Sequence, residues 1–474
     1  MRIRLSLAIL IGKWLYFLSS PSIRHRGWPG RISRFIYPAV LEALTRRLVV
    51  NVVSGSTGAQ TTGVLIAQGL RSQGLDCLLN PADQDSLDQV ITQLLTKKKE
   101  THAVLVTRLT DVADVIRATR PDVLTLTTLS IDESLDRGMI GNVRENINLA
   151  ITEVEPTLVL SSDDPLVSSL NADNRKGDDE LPADEQAFFY AESRHRLTPV
   201  TESALKSPYR ATHCPLCSRE LVYEAIGTGG VGIYLCSNCG FRNPPVDLYY
   251  HMQDDWLTIQ WNRRGLAPGS ASLRRETRFR MRGKYAARYA AAALGTLHRL
   301  LPAAGIHDLQ DTTTAYQPLF NHRSYRSETG QLLQLHLVSE LHTLTERLDL
   351  VNYDDSCQVT VIWLSHPRGR SHDYSWIWDL DVNQVSFPAG SQVILTGDDA
   401  PLLWLTFLQQ DYDMRQMDLI TETNELYVHL RLLTEQAAQD ATIYLYTNVD
   451  ARSSVELFLE QMDYEAVDGS KKRG

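Results

Sequence analysis

Four cysteines in two pairs are the residues whose spacing most directly predicts chemistry in this sequence. The first pair reads Cys214-Pro-Leu-Cys217 and the second reads Cys236-Ser-Asn-Cys239, with 18 residues between the pairs. This spacing is typical of a tetrahedral zinc site in which each turn contributes two thiolates. Because four thiolates leave no open coordination position, the predicted zinc is structural. Two disulfides or a redox pair are the alternatives.

A glycine-rich loop is the second candidate site. The stretch SGSTGAQTT at 54–62 separates an apolar run from a segment with helical periodicity, which predicts strand, loop and helix. Loops of this kind hold phosphate groups with backbone N–H donors. The candidate nucleotide contacts in the loop are Gly58, Gln60, Thr61 and Thr62. Asp164, in SSDDP, either borders the same pocket or caps the turn before Pro165.

The other features limit the class of protein. The chain has 474 residues, 43% hydrophobic and 22% charged, which is typical of a globular protein of two or three domains. A formal net charge of −10 does not favour nucleic acid as a partner, although a basic stretch at 263–288 beside a zinc ribbon keeps that hypothesis open. Cys77 and Cys357 stand alone and are predicted to be buried small hydrophobic residues.

Alternating strands and helices must position these sites. They predict a parallel α/β sheet, followed by an alanine-rich helix over 285–300. The predicted strands of this part lie at 103–107, 123–127 and 157–160, and the helices at 87–95 and 111–118. Strands predicted at 333–338, 358–364, 393–396 and 443–446 indicate a second, smaller α/β domain. We divide the chain into a docking segment at 1–48, a central domain at 49–300 with the ribbon at 211–245, and a C-terminal domain at 301–474.

The first 20 residues, MRIRLSLAILIGKWLYFLSS, predict an amphipathic helix. Such a helix packs on the next domain or lies on a membrane surface. A cleaved signal peptide is the alternative, but Lys13 interrupts the apolar run. No stretch approaches the roughly 20 consecutive apolar residues of a membrane span.

Several motifs together resemble one family. They are WPGRISRFIYPAVLEAL at 28–44, RPDVLTLTTLSIDESLDRG at 120–138, LVLSSDDPLVSSL at 158–170, the ribbon with its CSNCGFRNPPVD end, and HDYSWIWDLDV at 372–382. The sequence thereby resembles, over nearly its whole length, the MurT family, the Mur-ligase-like subunit of lipid II isoglutaminyl synthase. The resemblance implies an α/β fold with a Mur-ligase-like central P-loop-type domain, an inserted zinc ribbon and a smaller C-terminal α/β domain.

The resemblance also implies a reaction and a partner. Family members use ATP and Mg²⁺ to activate the D-glutamate α-carboxylate of the lipid II stem peptide, and a glutaminase, GatD, supplies the ammonia. In the family, an aspartate of the DVSWIWD stretch, which is DYSWIWD at 373–379 here, reaches into the Cys-His site of that glutaminase; by position it is Asp373, with Asp379 the second choice. Capping of turns beside buried tryptophans is the structural alternative for both. The implied location is the cytoplasm, with peripheral contact of the N-terminal helix at the inner face of the membrane.

The phosphate loop departs from the family pattern. A gapless match on Thr61 and Thr62 places Gln60 where the family has lysine. Val106 and Arg108 stand where the family has a glutamate and an aspartate on the metal side. Two hypotheses follow: an active ligase subunit with an unusual nucleotide site, or a catalytically inactive MurT-like scaffold that binds a glutaminase-type partner without ATP turnover.

Overall fold

The structure is a computed structural model, and it describes most of the chain. The described residues are 2–20, 27–80, 86–97, 99–129, 139–170, 172, 187–200, 211–253, 255–262, 272–281, 283–302, 307–308, 310–311, 322–327, 330–338, 341–352, 354, 356–365, 377–378, 380, 382, 385–436, 441–448 and 450–467. They form two compact units, the first containing the described residues up to 311 and the second those from 322 onward.

The first unit is built around a mixed sheet. The strands of this unit are β1 (Val49–Ser54), β2 (Cys77–Leu79), β3 (His102–Thr107), β4 (Val123–Leu126), β5 (Thr157–Ser161), β6 (Ala187–Glu192), β7 (Thr198–Pro199), β8 (Val222–Ile226), β9 (Gly232–Leu235), β10 (Leu248–Gln253), β11 (Trp256–Trp261) and β12 (Leu273–Arg278). Strands β7, β8 and β9 form a separate small sheet. The main sheet has the order β12-β11-β10-β6-β5-β4-β1-β3-β2. All neighbours from β2 to β10 pair in parallel, and β11 and β12 extend the sheet in antiparallel register.

Helices cover this sheet because the parallel strands are apolar on both faces. They are α1 (Arg2–Leu18), α2 (Trp28–Ile36), α3 (Val40–Thr45), α4 (Ala59–Ser72), α5 (Leu87–Leu94), α6 (Val112–Thr119), α7 (Met139–Val154), α8 (Pro165–Ser168) and α9 (Lys284–Leu300). The alanines of α9 let this helix approach β4, β5, β6, β10 and α4 closely. The start of α9 lies near the carboxyl edge of the sheet, because its Tyr289 ring lies against Gly58 in the loop that follows β1. In α/β proteins this edge binds ligands.

The second unit is a smaller α/β sheet. Its strands are β13 (His322–Ser327), β14 (Leu332–Leu337), β15 (Cys357–Trp363), β16 (Gln392–Thr396), β17 (Met417–Leu419), β18 (Thr442–Thr447) and β19 (Tyr464–Ala466), in the order β17-β16-β15-β18-β14-β13-β19. Its helices are α10 (Leu341–Val351), α11 (Ala400–Gln409), α12 (Thr423–Gln436) and α13 (Arg452–Gln461). The apolar core of this unit includes Val361, Ile394, Leu445 and Phe458.

The amphipathic N-terminal helix is confirmed, and it packs against α2. Ala8 and Gly12 face α2, and the Ser33 hydroxyl donates to the Ala8 carbonyl at 3.0 Å. A Cβ at Gly12 would lie 2.1 Å from the Ser33 Oγ, so only glycine allows this approach. Among the described residues no helix has the length and hydropathy that crossing a membrane requires.

The periodic patterns predicted the elements well in both units. The strands predicted at 103–107, 123–127, 157–160 and 443–446 are β3, β4, β5 and β18, with ends within two residues. Cys77 and Cys357 are buried as predicted. The strands that the patterns did not predict are β6, β10 and β11, which carry the main sheet past the ribbon, and, in the second unit, β13 and the edge strands β17 and β19. Edge strands pair on one side only and carry a weaker pattern.

Candidate zinc ribbon and phosphate loop

The four predicted cysteines converge at one point. All four sulfur atoms lie within 4.8 Å of one another, and the Cys214–Cys239 and Cys217–Cys236 Sγ pairs are each 3.5 Å apart. A disulfide requires about 2.05 Å between sulfurs, so these pairs are not disulfides. Sulfurs that surround a zinc ion at about 2.3 Å lie close to 3.8 Å apart, which this cluster matches. The donor set therefore fits a tetrahedral metal ion.

Two similar backbone turns present these sulfurs. In the first, Ser218 N–H donates to the Cys214 carbonyl at 2.8 Å, and in the second Gly240 N–H donates to the Cys236 carbonyl at 2.9 Å. Ser218 and Gly240 both have positive φ, 60° and 75°. Hydrogen bonds from the Arg219 backbone N–H and the Asn238 side chain lower the pKa of Cys217, whereas burial raises the pKa of Cys214 and of Cys239. A bound cation would favour the thiolate form of all four.

The ribbon sheet β7-β8-β9 has a very small core of its own. Its buried side chains are Cys214, Leu221, Tyr223, Tyr234 and Cys236. A core of this size does not stabilise an independent module, so docking to the main sheet must contribute, and a metal ion on the four sulfurs would add to it.

Docking is made on the SSDDP turn after β5. The Asn243 amide donates to the Ser162 carbonyl at 2.9 Å, and Gly232 N–H donates to the Asp163 carbonyl at 3.1 Å. The Tyr234 hydroxyl lies 2.5 Å from the Ser168 hydroxyl. The ribbon thus holds a turn at the carboxyl edge of the main sheet.

The tip of the β8–β9 hairpin joins a buried charged cluster. Thr228 donates to the Glu192 carboxylate from its backbone N–H at 2.8 Å and from its hydroxyl at 3.2 Å. The Arg288 guanidinium donates to the Thr228 carbonyl and, at 3.2 Å, to the Tyr250 hydroxyl. Arg288 is only 2% exposed, so this contact ties the ribbon tip to the first turns of α9.

Asp163 is the titratable group of this cluster with the clearest consequence. Burial raises its pKa to about 7, although the Glu192 N–H and the Arg288 charge oppose that shift and the Glu192 and Asp164 carboxylates add to it. The folded pKa lies above the unfolded value, so the folded state holds the proton more tightly. The stability contributed by this group is therefore present at low pH and is lost as the pH rises from about 4 to about 7.

We expect Asp163→Asn to flatten this pH dependence. The amide oxygen of the variant still accepts the Glu192 N–H, but the variant buries no negative charge above pH 7, whereas the wild-type Asp163 carboxylate does. Three pKa units correspond to at most about 4 kcal/mol. Denaturant unfolding of the Asp163→Asn variant and of an Asp114→Asn control, at an exposed position, measures the effect between pH 4 and pH 8. An unchanged pH slope in the Asp163→Asn variant contradicts this assignment.

The phosphate loop is built at the start of α4, as predicted. Gly58 precedes the helix with φ of 72°, in the left-handed region that glycine favours. A Cβ at Gly58 would lie 1.8 Å from Cε1 of Tyr289, so the ring of this buried α9 residue covers one side of the loop.

The first part of the loop is bonded to the end of β4. Ser56 N–H donates to the Thr128 carbonyl at 3.2 Å, and Thr57 N–H donates to the Thr128 hydroxyl at 3.1 Å. The Thr127 hydroxyl donates to the Thr57 carbonyl at 2.5 Å. These two loop amides therefore have protein partners, and the donors that can face a ligand come from the start of α4.

Gln60 is an orphaned polar group at that helix start. Both atoms of its side-chain amide, and the Thr62 hydroxyl, are buried and make no hydrogen bond within the described part of the chain. Buried polar groups normally have partners, so these unpartnered atoms are candidate ligand contacts. An amide N–H at the positive end of a helix fits a phosphate oxygen. Thr61, also predicted as a contact, lies buried in the first turn of α4.

The residues beside the loop do not fit a magnesium ion. Val106 is buried and its backbone is held by the Asn80 side chain, which accepts the Val106 N–H and donates to its carbonyl, both at 2.8 Å. Arg108, at the end of β3, is exposed and brings a positive charge. Magnesium prefers carboxylate and water oxygens, and neither of these residues supplies one.

Asp164 caps α8. One carboxylate oxygen accepts the Leu166 and Val167 N–H groups at 2.9 and 3.3 Å, and the other accepts the Leu129 N–H at 3.3 Å. The capping role is therefore present.

The two aspartates predicted to face the partner, Asp373 and Asp379, lie outside the described residues. Between them, Ile377 is buried and Trp378 is partly exposed.

The basic stretch is partly neutralised. Strand β12 alternates partly buried and exposed residues at the sheet edge. Arg274 pairs with Glu276 at 2.8 Å, and Arg275 pairs with Asp311 at 2.7 Å. Arginines paired with carboxylates are less available to phosphates, so this strand does not support the nucleic-acid hypothesis.

Comparison with known proteins agrees with this arrangement. No protein-family model matches the chain. The MurT subunit of the glutamine-hydrolysing lipid II isoglutaminyl synthase of Staphylococcus aureus (strain N315) is 22% identical over 384 residues, covering 80% of this chain and 81% of that protein. The chain is thus similar to this MurT subunit over about four fifths of both sequences. The Streptococcus pneumoniae (strain R6) MurT subunit is 23% identical over 256 residues, covering 52% and 53% of the two chains.

Solved structures show the same fold. The pseudomurein peptide ligase type C of Methanothermus fervidus matches with a TM-score of 0.61 at 14% identity, covering 89% of this chain and 80% of that one. MurF of Acinetobacter baumannii matches with a TM-score of 0.60 at 12% identity, covering 91% and 80%. The chain therefore has the fold of these ligases.

Sequence reasoning missed the buried cluster around the ribbon tip. Glu192, Thr228 and Arg288 are far apart in the chain and belong to no spacing motif. A charged residue in the otherwise apolar α9 was the available signal for Arg288, because an arginine buried in a helix needs polar partners.

Proposed function

We propose that this chain is the MurT-like subunit of a lipid II isoglutaminyl synthase complex. In the proposed reaction the D-glutamate α-carboxylate of the peptidoglycan stem peptide exchanges an oxygen for the nitrogen of ammonia, and a GatD-like glutaminase supplies the ammonia. The observation that carries the proposal is similarity to named MurT subunits over four fifths of the chain, on a Mur-ligase fold with a four-cysteine ribbon.

The zinc and nucleotide assignments belong to this proposal. We propose a structural Zn²⁺ on Cys214, Cys217, Cys236 and Cys239 in the ribbon at 211–245. For the nucleotide, the first amides of α4 and the Gln60 side chain would hold a phosphate group, with Gly58, Thr61 and Thr62 shaping the loop. ATP supplies the activation of the carboxylate in this class of reaction. No magnesium ligand is assigned, because Val106 and Arg108 do not fit one.

The same phosphate loop also supports a second candidate function. A catalytically inactive scaffold that binds a glutaminase-type partner needs the fold and the ribbon but neither a lysine nor magnesium carboxylates. Gln60 in place of the lysine, and the Tyr289 ring against Gly58, are the observations that support it.

The partner-facing residues are assigned by position in the C-terminal domain at 301–474. We propose that Asp373 orients and charge-stabilises the catalytic imidazole of the glutaminase, with Asp379 as the second choice. The central domain at 49–300 carries the ligase half, and the docking segment at 1–48 meets the inner face of the membrane, where a lipid-linked substrate is located.

The test separates ammonia supply from amide formation. With the glutaminase-type partner, we expect Asp373→Asn to reduce glutamine-dependent amidation of lipid II by about 10²-fold or more, because the imidazole loses its orienting charge. Amidation driven by added ammonium should be unchanged. Mass spectrometry of the stem peptide measures both rates, and Asp413→Asn, at an exposed turn of the same domain, is the control. Equal loss with both nitrogen sources contradicts the partner role of Asp373.

A further inference from the structure

The outer face of α1 is an apolar stripe. Its members recur with alternating spacings of four and three residues, which places them on one side of a helix. They are Ile3, Leu7, Leu10, Trp14, Phe17 and Leu18, each between 46% and 84% exposed. Scattered exposed apolar residues are ordinary, but a continuous stripe along a whole helix indicates a binding surface.

The opposite face of the same helix already has its packing partner. Ala8 and Gly12 are buried against α2, and Leu5 and Ile9 join the core of the first unit. The apolar stripe is therefore distinct from the face of α1 that packs on the first unit. It is a second face, and the described residues of the first unit leave it open.

Cations flank the stripe. Arg4 and Lys13 are exposed, and at about 100° per residue they lie on its two opposite shoulders. The first 47 residues contain nine lysines and arginines and one acidic residue, Glu42, in a chain whose net charge is −10. A basic segment of this kind on an acidic protein is complementary to an anionic surface.

The length and residue types fit a helix lying in a bilayer interface. With 17 residues, α1 is about 26 Å long, shorter than the roughly 30 Å hydrocarbon core. Trp14 at the centre of the stripe is typical of the head-group region, and the basic shoulders can reach phosphate groups while the stripe is immersed.

We propose that this α1 face, with its Arg4 and Lys13 shoulders, docks the protein on an anionic phospholipid bilayer. The inference rests on the proposed function in one respect, since a lipid-linked substrate gives the docking a purpose. The helix would bind in the plane of the surface and leave the packed face on α2 undisturbed.

The test measures binding of the full chain to vesicles without nucleotide, glutamine or partner. We expect sedimentation with vesicles that contain phosphatidylglycerol and much weaker sedimentation with pure phosphatidylcholine. The double variant Leu10→Glu/Trp14→Glu should lower binding at least about tenfold, since both residues leave the immersed face. Arg4→Glu/Lys13→Glu should lower vesicle binding by about fivefold or more for each residue replaced. Added salt should weaken vesicle binding by the wild type.

Controls separate docking from folding and from the proposed activity. Leu432→Glu/Leu457→Glu introduces the same two charges at exposed leucines of the second unit, and this variant should bind vesicles normally. Thermal unfolding of the Leu10→Glu/Trp14→Glu variant should match the wild type, because both side chains are exposed. Vesicle sedimentation does not depend on amidation of lipid II, so it tests the docking proposal even if the proposed function fails.

Two outcomes overturn the proposal. The first is equal vesicle binding by the wild type and the Leu10→Glu/Trp14→Glu variant, or no binding by either. The second is loss of a glutaminase-type partner, or of a dimer, in size-exclusion chromatography of that variant while vesicle binding is absent. The second result assigns the stripe to a protein.

Discussion

Replacing Cys236 by serine should abolish metal binding and destabilise the first unit. A three-thiolate site loses most of the affinity of a four-thiolate zinc site, and binding of structural zinc is worth roughly 10 kcal/mol or more in small modules. The ribbon core is too small to replace that contribution. We expect zinc content to fall from one ion per chain to near zero and the melting temperature to drop by about 5 °C or more.

The effect should spread beyond the ribbon in a defined direction. Hydrogen exchange should accelerate in β8 and β9 and then at the SSDDP turn, because Asn243 and Gly232 hold that turn only when the ribbon is folded. Cys357→Ser, at a buried cysteine of the second unit, is the matched control and should retain the zinc. Full metal content in the Cys236→Ser variant contradicts the four-sulfur assignment.

The second large effect is expected at Gln60. Gln60→Lys places a cation where a neutral amide now lies unpartnered at the start of α4. A charge-assisted hydrogen bond to phosphate is worth about 1.5–3 kcal/mol, so nucleotide affinity should rise about 10-fold to 100-fold. Isothermal titration with ATP measures the change.

A matched substitution on the same helix isolates the position. Gln73→Lys adds the same charge at the exposed C-terminal end of α4, far from the loop, and should leave nucleotide affinity unchanged. Equal affinities of the Gln60→Lys variant and the wild type would show that the loop does not hold the phosphate. ATP turnover that rises with affinity favours the active subunit over the inactive scaffold.

The sequence predicted the features that depend on local spacing. Two C-x2-C pairs predicted a four-cysteine cluster, because the geometry of each pair is set by a few residues, and the sulfurs converge as expected. Strands such as β3 and β5 are apolar on both faces, so their runs are visible without knowledge of their neighbours. The amphipathic α1 was visible from its period.

Contacts between distant residues were not predictable in this way. Arg288 meets Thr228 across 60 residues, and Tyr289 meets Gly58 across more than 200, and neither pair has a spacing rule. The strands of the β10–β11 hairpin mix polar and apolar residues because β10 is the last parallel strand of the main sheet and β11 begins its antiparallel extension. The burial that raises the pKa of Asp163 likewise depends on the assembled ribbon, hairpin tip and α9.

Amidation of lipid II by the chain together with its glutaminase-type partner tests the central claim most directly. With glutamine and ATP present, the proposed function predicts conversion of the stem-peptide D-glutamate to D-isoglutamine, seen by mass spectrometry and dependent on both proteins. The absence of the lysine predicts a rate about 10²–10³ below that of a relative that has it. Formation of a stable complex that produces no isoglutamine, even with the Gln60→Lys variant, would contradict the ligase role.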